Sequence, residues 1–279
     1  MATTVTLTAY PAGSPAPYVD VLASGFVAGI ASTTIWRTAG GQTFRVRGLV
    51  DVTTGGTVTI QDFEAPLGVE ASYRAEHFDS AGVFVSYSDP ATVTLDAGLI
   101  EVAYLHNPFS PATAVQVVMS INAASEITRP TSSERFAVMG RSVPVIISQP
   151  RHGVEGVTLD CSTITLADAS SLDSLFGGYD DDTVPIVCVR THPNLYLPPT
   201  FFATVERPSK RLLNVRQGGT IIDWFMTADE VAPPVEAAVT VLLDYADFTA
   251  FYTGGYDVFT AAYADYQTAT RDYTIAGTA

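Results

Sequence analysis

The stretch GRSVPVII at residues 140–147 constrains the fold more than any other part of the sequence. An apolar segment, FAVM at 136–139, precedes it, and a polar loop, a further strand, one short helix and several more strands follow it. The β-branched residues after Pro144 favour extended backbone, and proline is tolerated at the start or edge of a strand. This order of elements predicts antiparallel β structure with a single helix, and it contains no pattern for a nucleophile, a metal cage or a phosphate-binding loop.

Residues 98–235, which contain this stretch, resemble the split-barrel unit of long-tailed bacteriophage tail proteins, from which tail-tube, distal-tail and minor-tail rings are built. The resemblance rests on the order of the elements and on the Gly-Arg-x-x-Pro turn at 140–144. It implies a split β-barrel whose short helix covers one open end of the sheet.

The short helix is expected just after residue 168. Asp168 is a candidate N-cap, and Leu172, Leu175 and Phe176 follow at a spacing of i, i+3 and i+4, which is typical of one helix face. Gly177 and Gly178 predict where it ends.

Residues 1–97 predict a β-sandwich, because short β-branched or alternating runs are separated by Gly, Pro, Asp and Ser at the spacing of that fold. The tract DFEAPLG at 62–68, followed by a strand that begins near Tyr73, resembles a fibronectin type III-like domain and minor tail proteins of actinobacterial phages. The resemblance places Tyr73 near that fold's corner tyrosine and implies that Trp36 is the core tryptophan.

Residues 236–279 carry near-copies of one aromatic-acidic pattern: YADF, YDVF and YADY. The spacings of the aromatic residues, three and four, predict a helical stripe interrupted by Gly254 and Gly255. A strand that starts at Leu242 is the alternative. We expect this segment to dock onto another chain or a neighbouring copy, since exposed apolar stripes usually mark a partner site. The rings concerned are Tyr245, Phe248, Tyr252, Tyr256, Phe259, Tyr263 and Tyr266.

The net charge of −15 is unevenly distributed along the chain. Residues 129–216 are neutral, with nine basic and nine acidic side chains, whereas both flanks are acidic. This distribution argues against sequence-independent binding to nucleic acid, which needs a basic face. Only 15% of the residues are charged, which favours a surface partly buried against other subunits.

Each candidate for catalysis or ligand binding has a simpler interpretation. Asp62 and Glu64, at i and i+2, form an acid/base pair only if they flank a substrate cleft. The acidic run 180–182 lacks the ligand spacing of an EF-hand and fits a hairpin turn. The basic cluster 207–211 is interpreted as an exposed loop that pairs with an acidic neighbour. The four histidines, at 77, 106, 152 and 192, are interpreted as loop or hydrogen-bonded residues, and the two cysteines, at 161 and 188, as buried thiols.

These observations favour a non-enzymatic structural protein with no cofactor and no metal site. The resemblance implies a distal-tail or minor-tail ring subunit that links tail tube to tail tip, with partners that are copies of itself (six, or a multiple of three) and the tail-tube and tail-tip proteins. Arg141 is the candidate interface residue of the barrel. A receptor- or carbohydrate-binding tail protein is the alternative, and a cell-wall hydrolase is a third class.

The N-terminus has no basic region followed by an apolar core, and no apolar run approaches the length of a membrane span. We therefore expect no signal peptide and no membrane insertion. Assembly is expected in the host cytoplasm, with the product located in the virion tail.

Overall fold

The computed structural model describes residues 3–137, 139, 142–177, 186–205 and 207–234. Strands dominate this part of the chain, which contains one α-helix, α1 (Leu166–Leu175), and two 3₁₀ turns, Pro193–Leu195 and Val215–Gln217. The predicted mostly-β fold class is therefore confirmed. The strands are β1 (Thr4–Tyr10), β2 (Tyr18–Ser24), β3 (Ser32–Ala39), β4 (Gln42–Arg45), β5 (Val52–Thr53), β6 (Thr57–Asp62), β7 (Glu70–Phe78), β8 (Phe84–Tyr87), β9 (Ala91–Thr94), β10 (Val102–Asn107), β11 (Ser110–Met119), β12 (Ser133–Phe136), β13 (Val145–Ser148), β14 (Val157–Thr158), β15 (Cys161–Thr163), β16 (Ile186–Arg190), β17 (Thr200–Val205), β18 (Ser209–Leu212), β19 (Ile222–Phe225) and β20 (Thr227–Val231).

Strands β1 to β9 form a sandwich of two antiparallel sheets. One sheet has the order β1-β2-β6, and the other has the order β4-β3-β7-β8, with β5 also pairing with β3 and β9 with β7. Inward residues alternate with outward ones along β2 and β7, as a half-buried strand requires. The sandwich predicted for the N-terminal third is present. Its core comprises Val5, Val19, Val21, Ala23, Ile35, Val46, Leu49, Val58, Ala65, Leu67, Ala71, Tyr73, Ala75 and Leu95.

Of the two aromatic residues singled out in the sandwich, one lies in the core. Tyr73 is fully buried on β7, as predicted. The prediction for Trp36 is wrong, because side chains alternate along β3 and the adjacent Ile35 takes the inward position. Trp36 is half-buried on the opposite face, where its indole Nε1 donates a hydrogen bond to Glu76 Oε2 at 2.6 Å and its ring packs under the guanidinium of Arg45.

The second half of the described chain forms one nine-stranded sheet that curls into a half-barrel. Its strand order is β14-β20-β17-β16-β10-β11-β15-β19-β18. One face of this sheet and the helix α1, which lies against β10, β11 and β15, enclose a second apolar core. The predicted half-barrel with one helix is present. The helix packs on one face of the curled sheet, against β10, β11 and β15. This core includes Ala103, Leu105, Val115, Val117, Leu159, Leu172, Leu175, Val187, Val189, Phe201, Ala203 and Trp224.

The helix α1 begins earlier than predicted. Thr165, not Asp168, is the N-cap: its hydroxyl accepts a hydrogen bond from Asp168 N at 3.0 Å and donates one to Asp168 Oδ2 at 2.5 Å. The sequence spacing is that of a capping box, but only half of the motif is formed, because the Asp168 carboxylate accepts from the Thr165 hydroxyl rather than from a backbone N–H. Leu172 and Leu175 are buried, as expected, and Gly177 (φ 86°) follows the C-cap in the left-handed conformation that ends many helices.

Among the described residues, no helix has both the length and the apolar character needed to cross a membrane.

Candidate functional site

A two-stranded hairpin projects from the half-barrel, and we call it the arm (residues 128–155). Strands β12 and β13 pair only with each other. The ladder continues to the base through hydrogen bonds from Gln149 N to Ser132 O and from His152 N to Pro130 O, and it ends at the bridge between Thr128 and Glu155. At about 3.3 Å per residue, the eight steps from Thr128 to Phe136 reach roughly 26 Å.

The arm is exposed along its length and more apolar on one face than on the other. Every described residue from 131 to 153 is exposed. Residues directly opposite each other in an antiparallel pair lie on one face. Glu134 pairs with Ile147 and Phe136 with Val145, so Phe136, Val145 and Ile147 share a face. The other face presents Ser133, Arg135, Ile146 and Ser148.

The interface residues predicted from the sequence lie outside the described residues. Arg141 lies in the sequence between Met139 and Ser142, the nearest described residues, and the aromatic residues of 236–279 lie beyond residue 234. The acidic run 180–182 is likewise outside the described part. These predictions stay predictions. The apolar segment 136–139, expected to be a strand, overlaps the observed strand β12 (Ser133–Phe136) only at Phe136.

Residues 209–211 of the basic cluster lie in the edge strand β18 rather than in the predicted loop. Within β18, Lys210 Nζ lies 2.6 Å from Asp173 Oδ2, and Arg211 Nη2 lies 2.7 Å from Asp223 Oδ2. The acidic partners therefore come from this chain. Arg211 and Ser162 hold the pKa of Asp223 below its usual value. Such exposed pairs contribute little to stability.

The face of the nine-stranded sheet opposite its apolar core meets the sandwich, and we call this contact the junction. Strand register places alternate residues of three neighbouring strands on this face. Arg190 donates hydrogen bonds to Pro17 O and Ala65 O of the sandwich, and Phe44 packs edge-on against Phe202. The junction residues of the sheet are Tyr104 and His106 on β10, Cys188 and Arg190 on β16, and Thr200 and Phe202 on β17.

The chain approaches itself closely at the junction. Gly68 has a φ of 65°, and a Cβ atom built on it would lie 2.8 Å from Ala97 Cβ and 3.2 Å from Pro193. Any other residue there strains the backbone and collides with the barrel.

The carboxylates proposed as an acid/base pair are structural members of the junction. Arg37 Nη1 lies 2.7 and 2.6 Å from the two oxygens of Asp62, which also accept hydrogen bonds from Tyr73 Oη and Glu64 N. Glu64 Oε1 accepts a hydrogen bond from Arg47 Nε at 2.7 Å. The two carboxylates of a glycoside hydrolase flank an accessible substrate cleft, whereas here both residues are buried.

Burial shifts the protonation of these groups. It raises the pKa of Glu64, against the opposing effect of Arg37 and Arg47, and it raises the pKa of Tyr73 well above its ordinary value, with Asp62 adding to the shift. Burial opposes the charge of Arg37, but the nearby Asp62, Tyr73 and Glu64 outweigh it, so the pKa of Arg37 is raised.

Arg190 and His106 are fully buried and have unused polar atoms. Both ring nitrogens of His106, and Nε and Nη2 of Arg190, have no hydrogen-bond partner among the described residues. Burial, followed by the charges of Arg190, Arg47 and Arg37, holds the pKa of His106 well below its ordinary value. The sequence interpretation of His106 as a loop or hydrogen-bonded histidine is wrong, because it lies within β10 and faces the junction.

The two cysteines are free and buried, as predicted. Burial raises the pKa of Cys161 to about 12, with Asp160 and Asp223 adding to it, and burial also raises the pKa of Cys188. Both thiols are therefore protonated near neutral pH and unreactive. Within the described ranges no group of histidine, cysteine, aspartate and glutamate side chains has the geometry to hold a metal ion.

A cleft of about 240 Å³ opens beside the junction. It lies between strand β4 of the sandwich and strands β17 and β20 of the barrel. Three phenylalanines, Phe44, Phe201 and Phe202, line it together with the polar side chains of Gln42 and Glu230. Glu230 Oε2 already accepts a hydrogen bond from Val154 N at 2.8 Å, so the base of the arm is attached to the cleft wall.

Comparison with protein-family models, with curated proteins and with solved structures gives no match for this chain.

Proposed function

We propose that this protein is a structural subunit of a long, non-contractile bacteriophage tail, a distal-tail or minor-tail ring subunit that joins the tail tube to the tail tip. The observation that carries the proposal is the arm, a hairpin whose described residues from 131 to 153 are exposed and whose two strands pair with no other strand in the described part of the chain. The sequence resemblance supplies the tail context.

The arm has the properties of an assembly element. An isolated two-stranded hairpin is marginally stable in water, so one that projects with open edges gains most when it pairs with or packs on another chain. Its side chains Ile147, Ile146 and Val143 are 64%, 55% and 71% exposed, which is unusual for a surface that remains in water. Strand addition supplies main-chain hydrogen bonds, and the apolar face supplies specificity.

Charge favours a second copy of this chain as the neighbour. Residues 128–155 contain four arginines and two glutamates, a net charge of +2, so the remainder of the chain carries −17 because the total is −15. A basic arm on an acidic body is attracted to the body of the next copy, and repeated contacts of this kind close a ring when the rotation between copies is regular. The barrel then makes the ring contacts, and the sandwich decorates the outside.

The arm itself offers a matched pair of substitutions that test this proposal. Ile147→Lys changes the apolar face and Ile146→Lys changes the opposite face, with the same residue type at adjacent positions. We expect Ile147→Lys to abolish the ring, seen by mass photometry and negative-stain images of the purified full chain. Ile146→Lys should retain it, and both should unfold at the wild-type temperature, since surface substitutions change stability little.

Equal assembly of the two variants would contradict the role of the apolar face. The tail assignment needs a separate measurement: a labelled subunit in images of the assembled particle should lie in a ring of six, or a multiple of three, at the distal end of the tail. A label on projecting fibres, or absent from the particle, would overturn that assignment even if the ring forms.

The receptor- or carbohydrate-binding alternative is favoured by the cleft. The half-buried ring of Phe44, with the amide of Gln42 and the carboxylate of Glu230 beside it, suits the apolar face and hydroxyls of a sugar. Binding of the purified chain to host cell wall, lost in Phe44→Ala, would support this function. Retention of the protein by cell wall in the variant would exclude the cleft as the site.

A further inference from the structure

The junction contains more positive than negative charge, although it is buried. Three guanidinium groups, of Arg37, Arg47 and Arg190, face two carboxylates, of Asp62 and Glu64. Burial lowers the pKa of His106, so this ring does not add to the excess. An unpaired buried charge is strongly unfavourable, so the excess calls for an anion.

Arg190 is the source of the excess. It is fully buried, and none of the described carboxylates lies within ion-pair distance of it. One of its nitrogens donates to two backbone carbonyls, whereas Nε and Nη2 have no partner in the described chain. Arg37 and Arg47, by contrast, each have a carboxylate at 2.6 or 2.7 Å.

A small recess lies at the junction beside Arg37 and Thr200. Arg37, Gln42, Phe44, Pro66 and Thr200 line it, together with Ala39 and Pro199. Two polar atoms of these lining residues, Arg37 Nη2 and Thr200 Oγ1, are buried and have no hydrogen-bond partner among the described residues. Glu64 Oε2, the nearest carboxylate oxygen to Arg37 Nη2, is 3.7 Å away.

Arg190 adjoins the same recess. It is the direct cross-strand partner of Thr200 in the β16–β17 ladder, so the two side chains lie on one face. The space holds about 10 Å³ for the centre of a water-sized particle, which is room for a single small guest. Guanidinium N–H, amide N–H and hydroxyl groups all donate hydrogen bonds, and a guest that only accepts them matches this set better than water, which must also donate.

We propose that the junction is a binding site for one monatomic anion, a halide such as chloride, held by Arg37 Nη2 and Thr200 Oγ1 with the charge of Arg190 beside it. The ion neutralises the excess charge and joins the sandwich to the barrel, since Arg37 belongs to the first and Thr200 and Arg190 to the second. Polyatomic anions such as phosphate or sulfate are too large for the recess.

The experiment is thermal unfolding of the purified full chain at pH 7.5 and constant ionic strength, in sodium gluconate and with chloride or bromide replacing it. A ligand that binds only the folded state raises the unfolding temperature with a saturable dependence. We expect a rise of about 3 °C in chloride and in bromide, and none in sulfate. Diffraction from crystals grown in bromide should show one anomalous peak between Arg37 and Thr200.

Thr200→Val tests the site because it removes the hydroxyl group while the side-chain volume stays nearly the same. In gluconate it should be no less stable than the wild type, because it removes a buried hydroxyl that has no partner. Its halide-dependent rise should fall by at least half. Thr204→Val, on the same strand and the same face, is the matched control and should keep the full rise.

An equal halide-dependent rise in Thr200→Val and the wild type would show a general salt effect and overturn the proposal. So would the absence of any rise in the wild type, or a bromide peak elsewhere with none in the recess. Arg190→Met is a second test, since it removes the excess charge. The unfolding temperature of this variant should not depend on halide.

Discussion

Arg37 and Asp62 form a buried ion pair in which a single guanidinium nitrogen lies 2.7 and 2.6 Å from the two carboxylate oxygens. The pair links β3 in one sheet of the sandwich to the end of β6 in the other. Tyr73 on β7 completes it through a 2.9 Å hydrogen bond from its hydroxyl. The two sheets of the sandwich are therefore joined by a buried, hydrogen-bonded ion pair on the side that faces the barrel, in addition to their apolar core.

Loss of one partner of this ion pair should be strongly destabilising. Asp62→Asn leaves Arg37 with one ion-pair partner, Glu64, at a longer distance, and breaking a buried pair costs about 3–5 kcal/mol of unfolding free energy. Urea unfolding followed by tryptophan fluorescence measures the change. The control is Asp79→Asn in an exposed turn, where the loss should be about 1 kcal/mol or less. A loss below about 1 kcal/mol for Asp62→Asn would mean that the pair contributes little.

The tyrosine hydroxyl can be removed without changing the apolar core. Tyr73→Phe leaves one Asp62 oxygen with a single donor, and the loss of a buried hydrogen bond to a charged group costs about 1.5–3 kcal/mol. The same urea experiment measures it. Tyr10→Phe, at a partly exposed ring that stacks on Tyr18, is the matched control and should change stability by less than about 0.5 kcal/mol. Similar values for the two variants would show that the Tyr73 hydroxyl is not a stabilising donor.

The local sequence pattern predicts the fold class here, but it does not predict which alternate residues of an individual strand face the core. The β-branched runs and the turn residues between them indicate both β regions. On β3 the apolar residues Ile35 and Trp36 are adjacent, so composition alone does not decide which one faces inward, and the larger ring was wrongly chosen. The pairing of β3 with β7 settles it, and that pairing joins residues about forty positions apart.

The junction could not be read from the sequence for the same reason. Asp62 and Glu64 stand out because they are close together, but their partners Arg37 and Arg47 lie on other segments, and Arg190 is more than 120 residues away. The sequence pattern that could have indicated the junction is a charged or polar residue inside an apolar run, as in VCVR at 187–190. Such a residue on a central strand indicates a face that packs against another part of the protein.

The cap of the single helix is a separate test of the revised helix boundary. Thr165→Ala removes the hydroxyl that accepts from Asp168 N and should lower stability by about 1 kcal/mol. Ser170→Ala, at an exposed position in the middle of α1, is the control and should be neutral or slightly stabilising, since alanine is the better helix former. Thermal or urea unfolding measures both. If Ser170→Ala and Thr165→Ala have the same effect, Thr165 is not the cap.

His106 should make the protein less stable in mild acid. Burial and the facing charges of Arg190, Arg47 and Arg37 lower its pKa in the folded state below the ordinary 6.5. In the unfolded chain it takes up a proton as the pH falls through that value, whereas in the folded state it does not. The unfolded state then binds more protons, so stability is fully present above about pH 7 and falls progressively below pH 6.5.

Replacement of the ring removes this dependence. We expect His106→Leu to flatten the part of the stability profile between pH 7 and pH 5.5 that the histidine causes, measured by urea unfolding at several pH values in halide-free gluconate buffer. Leucine should also raise stability at pH 5.5 relative to the wild type, because position 106 then has no group that gains a proton on unfolding. His152→Gln, at an exposed position on the arm, controls for loss of a histidine elsewhere and should keep the wild-type slope. A slope in His106→Leu as steep as that of the wild type would assign the acid sensitivity to other groups.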